Sequence, residues 1–330
     1  MRLAFTYDLK SAWLARGLDA EAAAEFDSEL TLEAIATHYE ARGFAVERVG
    51  GAHELLARVA AGARWDLAFN ICEGLHGGAR ESLVPALFEH LDIPCVFSDA
   101  ATLALCLRKD WCKQVVRAAG IATADFAVLE APGPIALPFP VFAKPVAEGT
   151  GKGVGLASRC LDAAALARAT AALLQRFRQP VLVETYLPGR EFTVGIVGQG
   201  AAAAPIGCME VEARGDAPLA YGYAEKADWR ARIRYALADD ETARAAVQVA
   251  LDAWRALGCR DGGRVDIRCD AEGAPHFIEV NPLAGLNPQE SDLVIMAQLA
   301  GRSAGWVYDR IMDAALARLG LAWPKRAAAA

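Results

Sequence analysis

Residues 264–281, RVDIRCDAEGAPHFIEVN, constrain the fold of this chain more than any other stretch. From Arg264 to Cys269 the residues alternate, with Val265, Ile267 and Cys269 on one side and Arg264, Asp266 and Arg268 on the other. That period of two predicts a half-buried strand. Asp270-Ala271-Glu272-Gly273 is turn chemistry. Pro275 to Val280 is the return strand, with Phe277 apolar and with Glu279 and Asn281 sharing a face. If Asp266 faces that pair across the hairpin, three oxygen donors converge beside the guanidinium of Arg264. Hard donors of this kind suit Mg²⁺, which keeps waters and binds substrate phosphates. A half-buried hairpin with a merely solvated charged face satisfies the same pattern, so the remaining chain must decide.

At 330 residues the chain is long for one domain and predicts two or three. Its 54% hydrophobic and 23% charged residues are those of a globular protein with a sizeable core. Alanine inflates the apolar count, and no run approaches the roughly 18 apolar residues of a membrane span. The start, MRLAFTYDLK, reads as a first strand rather than a signal peptide, being charged too soon. A net charge of −7 argues against a nucleic-acid-binding surface. Eight cysteines lie scattered without a C-x-x-C pair, which fits reduced thiols of a cytoplasmic protein used as small core residues.

Residues 1–100 predict alternating strands and helices: strands at Leu3–Tyr7, Phe44–Val49, Trp65–Asn70 and Ile93–Val96, with helices over 29–42, 53–61 and 81–91. That order implies a parallel sheet covered by helices, with ligands at the carboxyl ends of its strands. The loop NICEGLHGGARE (70–81) offers backbone N–H groups near a helix start. There Glu73, His76 and Glu81 are candidate contacts for a polar substrate; an ordinary loop with Glu81 favouring the helix dipole is the plainer alternative. Residues 102–119 predict one helix, with Lys109 and Lys113 on a common face, an arrangement that is usually solvated. PGPIALPFP marks a connection.

In VFAKPVAEGTGKGVGLAS (141–158) a short strand delivers Lys144, and Gly149, Gly151, Gly153 and Gly155 alternate with Thr150, Lys152 and Val154. Such a loop lets backbone N–H groups approach phosphate oxygens. It lacks the P-loop spacing and the context of a dinucleotide fingerprint. Lys144 favours phosphate contact over a flexible hairpin tip. A helix over 162–177 and strands over 180–186, 191–197 and 201–213 follow, with Glu184 and Glu191 flanking a turn. Residues 221–233 are irregular and polar, with Lys226 inside, and a helix over 239–257 leads to the hairpin. NPLAGLNPQESDLV leads to the last helices, and 322–330 read as a frayed tail.

A glycine loop, several lysines and a carboxylate–amide cluster suit ATP whose γ-phosphoryl is transferred. No Ser-His-Asp, Cys-His or zinc-spaced set competes. The segments FAKPVAEGTGKGVG, VLVETYLPGREFTVGIVG, AEK, GGRVDIRCD and HFIEVNPLAGL, in this order, resemble the ATP-grasp superfamily, and most the D-alanine:D-alanine ligase-like branch, over nearly the whole chain. The resemblance implies an α/β fold, α+β in its C-terminal half. It implies an N-terminal parallel-sheet domain over 1–100, a central subdomain with the phosphate loop over 101–180, and a C-terminal subdomain over 181–330. By the same resemblance, Lys109 and Lys144 contact ATP phosphates, with Glu148 and the loop of Gly149, Thr150, Gly151, Lys152 and Gly153 closing over them. Glu184 and its strand, with Leu187, hold adenine, and Glu191 holds the ribose. Lys226 reaches the γ-phosphate from a mobile lid over 221–236. Asp266, Glu279 and Asn281 bind two Mg²⁺ ions (Mn²⁺ is the alternative), Arg264 stabilises developing negative charge, and Gly285 lies at an oxyanion site. The implied reaction is acyl-phosphate formation followed by capture by an amine, and the implied assembly is a homodimer.

The chain departs from that pattern on the substrate side. The family's N-terminal glycine-rich turn, with the Glu that binds the first D-alanine's ammonium, is replaced by TYDLKSAWLARGLDAEAAAEFDSELT, in which Glu25, Asp27 or Glu29 stands in. The phosphate loop is longer and carries Lys152. NPQES replaces the second-substrate serine motif, with Ser291 as the counterpart. The expected activity is therefore a carboxylate–amine ligase acting on amino acids, D-alanine or another amino acid or small amine. An ATP-binding protein without turnover is the alternative from a different class.

Overall fold

The computed structural model describes residues 1–213 and 233–325. Three sheets carry the architecture. Strands β1 (Arg2–Tyr7), β2 (Ala45–Gly50) and β3 (Leu67–Ile71) form a parallel sheet in the order β2-β1-β3. All of β3 and most of β1 are buried, as befits parallel strands covered on both faces. The predicted strand at Ile93–Val96 shrinks to a single bridge between Ala68 and Cys95. Pro94 has no N–H to give to a ladder, so the segment offers only the Pro94 carbonyl and the Val96 amide to Ala68.

The central sheet orders β4 (Phe126–Leu129), β7 (Val181–Thr185), β5 (Val141–Pro145) and β6 (Arg159–Cys160) as β4-β7-β5-β6. Because β7 pairs with both β4 and β5, the expected boundary at residue 180 cuts through this sheet. The sequence reading assigned no strand to β4. The third sheet is antiparallel, in the order β10-β9-β8-β11-β12, from β8 (Glu191–Val197), β9 (Ala204–Ala213), β10 (Ile233–Leu237), β11 (Gly262–Cys269) and β12 (Pro275–Asn281). The predicted strand over 201–213 begins only at Ala204, after a 3₁₀ turn at Gly200–Ala202.

Side-chain caps start the helices. Ser28, Asp99, Asp162, Asp240 and Ser303 each accept from the backbone N–H three residues on. The predicted single helix over 102–119 is two, Ala100–Leu107 and Lys109–Ala118, broken at Arg108, whose backbone is extended. The break follows from a hydrogen bond: the Lys109 N–H donates to the Val146 carbonyl at 3.1 Å instead of continuing the helix. The second helix thereby starts beside the glycine-rich loop over 149–155.

The C-terminal helices Asp292–Leu299 and Ala304–Leu319 return to the N-terminal sheet. Tyr308, Ile311 and Met312 share a core with Phe5, Tyr39 and Phe69, and the Tyr39 hydroxyl donates to the Tyr308 carbonyl at 3.0 Å. The N-terminal lobe is thus completed by the end of the chain, which a division at 100 does not capture. Part of the tail, Trp323, packs on Tyr39 and Phe44 rather than fraying.

Candidate active site

The hairpin of residues 264–281 forms as its alternation predicts. Val265, Ile267 and Cys269 are buried on one face of β11, and Arg264, Asp266 and Arg268 point the other way, half-buried. The register sets Asp266 opposite Glu279 and Arg264 opposite Asn281. A shift after Asp266 then realigns Ile267 with Phe277, leaving Ile278 unpaired. This bulge lets the consecutive residues Ile278 and Glu279 both line the same cavity while Phe277 stays in the core. The Asp266 carboxylate accepts from Thr193 Oγ1 at 2.9 Å and lies 3.4 Å from both Arg264 Nε and Asn281 Nδ2. Burial pushes its pKa up to about 6, with Glu279 and Asp292 adding to the rise and Arg264 opposing it. Burial works against charge on Arg264 too, but Asp266 and Asp292 outweigh it and hold the guanidinium firmly protonated.

A buried ionic nest faces the hairpin from the central sheet. Glu184 sits between two lysines, with Lys113 Nζ 2.6 Å from one oxygen and Lys144 Nζ 2.7 Å from the other. Burial would raise the Glu184 pKa, yet the two ammonium groups prevail and hold it at about 2. Lys113, expected to be solvated, is fully buried; burial lowers its pKa, and it also donates to Thr123 Oγ1 at 2.6 Å. For Lys144 the pull of Glu184 and Glu279 exceeds the cost of burial, and its pKa is raised. Lys109 donates to the Glu148 carbonyl at 2.6 Å and lies 3.4 Å from Glu279. Glu191 pairs with Arg268 at 3.0 Å.

Two adjoining cavities result. The smaller, about 180 Å³, is lined by Lys144, Glu148, Thr150, Gly151, Lys152, Glu184, Leu187, Glu191, Asp266 and Glu279. The larger, about 760 Å³, is lined by Glu25, Asp27, Glu73, Glu81, Gly149, Asn281, Gly285 and Ser291. Lys109, Glu148, Thr150, Tyr235, Arg264 and Asp292 line both. Gly153 lines neither. It turns the loop at φ +74°, and a Cβ there would meet Pro145 at 2.6 Å and Phe177 at 2.7 Å. The Ser291 hydroxyl accepts from the Asn287 N–H at 2.8 Å, and a Cβ on Gly285 would lie 2.9 Å from it.

Of the three acids expected in place of the missing N-terminal motif, Glu25 and Asp27 face the larger cavity. Glu29 lies outside it, exposed at a helix start and accepting from Ser11 at 2.5 Å, because the Ser28 cap turns the chain into the helix there. His76 is also outside, exposed beside a separate cavity of about 630 Å³. Lys226, and most of the expected lid over 221–236, fall outside the described residues; the lid's last residues enter strand β10. Among the described residues no cluster of three His, Cys, Asp or Glu forms a metal site; the third donor beside Asp266 and Glu279 is the amide of Asn281. Sequence reasoning missed Asp292, 2.8 Å from Arg264, and Thr193, because both reach the site from other elements. It also missed the pairing of Lys113 with Glu184, for which the four-residue spacing from Lys109 was the available signal.

The fold is that of an ATP-grasp protein. Residues 115–316 match the family described as D-ala D-ala ligase C-terminus. The chain is 31% identical over 279 residues to the D-alanine–D-alanine ligase of Sinorhizobium fredii, covering 82% of this chain and 87% of the relative. It is 33% identical over 249 residues to that of Alcanivorax borkumensis, covering 74% and 76%. The chain belongs to the D-alanine–D-alanine ligase family. Its fold is also that of the solved D-alanine–D-alanine ligase from Bacillus anthracis, with a TM-score of 0.73, 20% identity, and 96% and 98% of the two chains covered. The same enzyme complexed with ATP gives a TM-score of 0.69. No helix among the described residues is long and apolar enough to cross a membrane.

Proposed function

We propose that the protein is an ATP-dependent, ADP-forming ligase that joins the carboxylate of one small amino-acid substrate to the amine of another. The observation that carries this reading is the shared wall of Lys109, Thr150 and Arg264 between the two cavities. A carboxylate entering from the larger side meets cations where a triphosphate from the smaller side would end. Lys109 and Lys144 would bind phosphates, with Glu148 and the backbone of 149–152 around them. Glu184, Leu187 and the end of β7 would receive adenine, and Glu191 the ribose. Lys226 would reach the γ-phosphate.

The donors Asp266, Glu279 and Asn281 fit divalent cations. All three supply hard oxygen, and two carboxylates opposed across the hairpin, one of them pushed up to about 6, are the setting that Mg²⁺ or Mn²⁺ relieves. Two Mg²⁺ ions held there would offset charge on the phosphates. The substrate carboxylate takes the γ-phosphoryl group and ADP leaves. The amine then attacks the acyl carbon, losing a proton, and phosphate departs as the C–N bond forms. Arg264, kept protonated by its acidic neighbours, would stabilise charge in both steps, and the Gly285 N–H would serve the oxyanion.

The amine end supports a substrate other than D-alanine. Burial pushes Asp27 and Glu81 up to about 7 and Glu73 well above the ordinary carboxylate range, and the acids lining this cavity outnumber its cations, Lys10, Lys109 and Arg264. In a cavity of about 760 Å³ this favours a larger amino acid with a second positive group. Amino-acid pairs, scored by phosphate release and by a product mass equal to the sum less water, test both readings. Phosphate release that needs both partners supports the ligase; ATP binding without turnover on a panel including basic and D-amino acids overturns it. We further propose a cytoplasmic homodimer; free thiols at all eight cysteines fit a reducing compartment, and sedimentation tests the dimer.

A further inference from the structure

The segment between β1 and the helix Glu29–Ala41 is tied at its base, where Lys10 N–H donates to the Asp27 carbonyl and Asp27 N–H to the Asp8 carbonyl. From it Glu25 reaches the phosphate loop. Its carboxylate accepts from the Gly149 N–H at 2.8 Å, from Lys152 Nζ at 3.0 Å, and from Arg80 Nη2 at 3.1 and 3.2 Å. Arg80 donates its other end to the Ala147 carbonyl at 2.9 Å. Glu25, Arg80 and Lys152 are each less than a tenth exposed. A Cβ at Gly149 would stand 2.3 Å from the Glu25 carboxylate, and the three nearest atoms it would meet all belong to Glu25. Gly149 is therefore set by this contact and not by its backbone angle. Lys152 is held by Glu25 and by Glu148, which lies 2.5 Å away.

We propose that Glu25 is a positioning residue that latches the phosphate loop to the N-terminal lobe, so that the loop is held for nucleotide before nucleotide arrives. The proposal rests on the nucleotide-site reading above. Its logic is preorganisation. A glycine-rich loop has many conformations to lose on binding, and the two charge-assisted contacts from Gly149 and Lys152 to one carboxylate, itself anchored by Arg80, remove many of them beforehand. The carboxylate is ionised at neutral pH because Arg80 and Lys152 together outweigh the cost of burying it. Neither Glu25 nor Arg80 touches nucleotide in this scheme; each acts through Gly149 and Lys152.

Two measurements on the full chain test it. The first is equilibrium binding of a non-hydrolysable ATP analogue with Mg²⁺. Glu25→Gln and Gly149→Ala are each expected to weaken binding about tenfold, while Glu25→Ala combined with Gly149→Ala is no worse than Glu25→Ala alone, since the 2.3 Å clash with the carboxylate is then gone. Multiplying losses, or unchanged affinity in Glu25→Gln, overturn the latch while leaving the nucleotide site standing. No analogue binding by the parent sinks both. The second needs no nucleotide: tryptic cleavage after Lys152 is expected to accelerate at least about fivefold in Glu25→Gln with an unchanged melting temperature. Equal cleavage overturns the latch whatever the enzyme's activity.

Discussion

The two cavities are built on different principles. The proposed nucleotide side rests on strands: cross-strand pairing puts Asp266 beside Glu279, and β5 and β7 bring Lys144 to Glu184. Its charges are nearly balanced, each acid facing a cation within a few ångströms. The proposed substrate side rests largely on loop residues, among them Glu25, Asp27, Glu73 and those from 282 to 291, and its acids outnumber its cations. Rigid, balanced sites suit a cosubstrate common to a whole family. Loop-borne, unbalanced ones are where a family changes its substrate.

The largest effects belong to the strand-built side. Glu279→Gln keeps shape but removes one of two opposed carboxylates; turnover should fall about 10³-fold or more with the melting temperature nearly unchanged. Parent-like turnover would remove the metal from this hairpin. Lys144→Ala should weaken ATP binding by about 10- to 100-fold, the range for one charge-assisted contact. It also strips Glu184 of one partner, and breaking a buried pair costs about 3–5 kcal/mol. The triple variant Lys113→Met, Lys144→Met and Glu184→Gln, which leaves no charge of this buried nest unpaired, separates the two losses: stability should return while ATP affinity does not. Unchanged affinity in either variant would end the phosphate role of β5.

The same contrast decides what was legible in the sequence. Alternation revealed β11 and β12, because a strand has one period and one buried face. The bulge at Ile278 was hidden, since a pleat does not announce where it skips a residue. The Lys109–Lys113 spacing gave a shared face but not its direction; that depended on a hydrogen bond from Lys109 to Val146, far along the chain. Helix-forming residues run straight through Arg108, so no local signal marked the break. On the amine side the sequence offered three acids and no way to rank them. The Ser28 cap does so, turning Glu29 outward while Glu25 and Asp27 stay within.

A smaller effect probes the imbalance of charge on the loop side. Burial raises the Asp27 pKa from an ordinary 3.8 to about 7. An acid raised on folding adds stability below its unfolded pKa, and that contribution is lost as pH climbs through the folded value. Between about pH 4 and 8 the parent should therefore lose stability that Asp27→Asn keeps. The variant is expected to melt a few degrees higher at pH 8 and no higher at pH 4. A basic amino acid bound in the cavity should shrink the difference, because its positive charge lowers the Asp27 pKa. An equal melting difference at both pH values would place Asp27 in a salt bridge or in water instead.

The smallest effect sharpens the boundary of the amine site within one loop. Glu73 and His76 are three residues apart, and both follow β3. Glu73 lines the larger cavity; His76 is exposed beside the separate one. Between the two cavities runs the Arg80–Glu25–Lys152 contact, so a side chain at 76 has no path to the substrate. His76→Ala should leave kcat/KM within about twofold of the parent, the range for an exposed residue without partners in the site. Glu73→Gln, keeping shape and removing an ionisable group, should raise KM for an amino-acid substrate while leaving KM for ATP alone. A His76 effect as large as that of Glu73 would mean that substrate spans the wall, and the two cavities would then have to be counted as one.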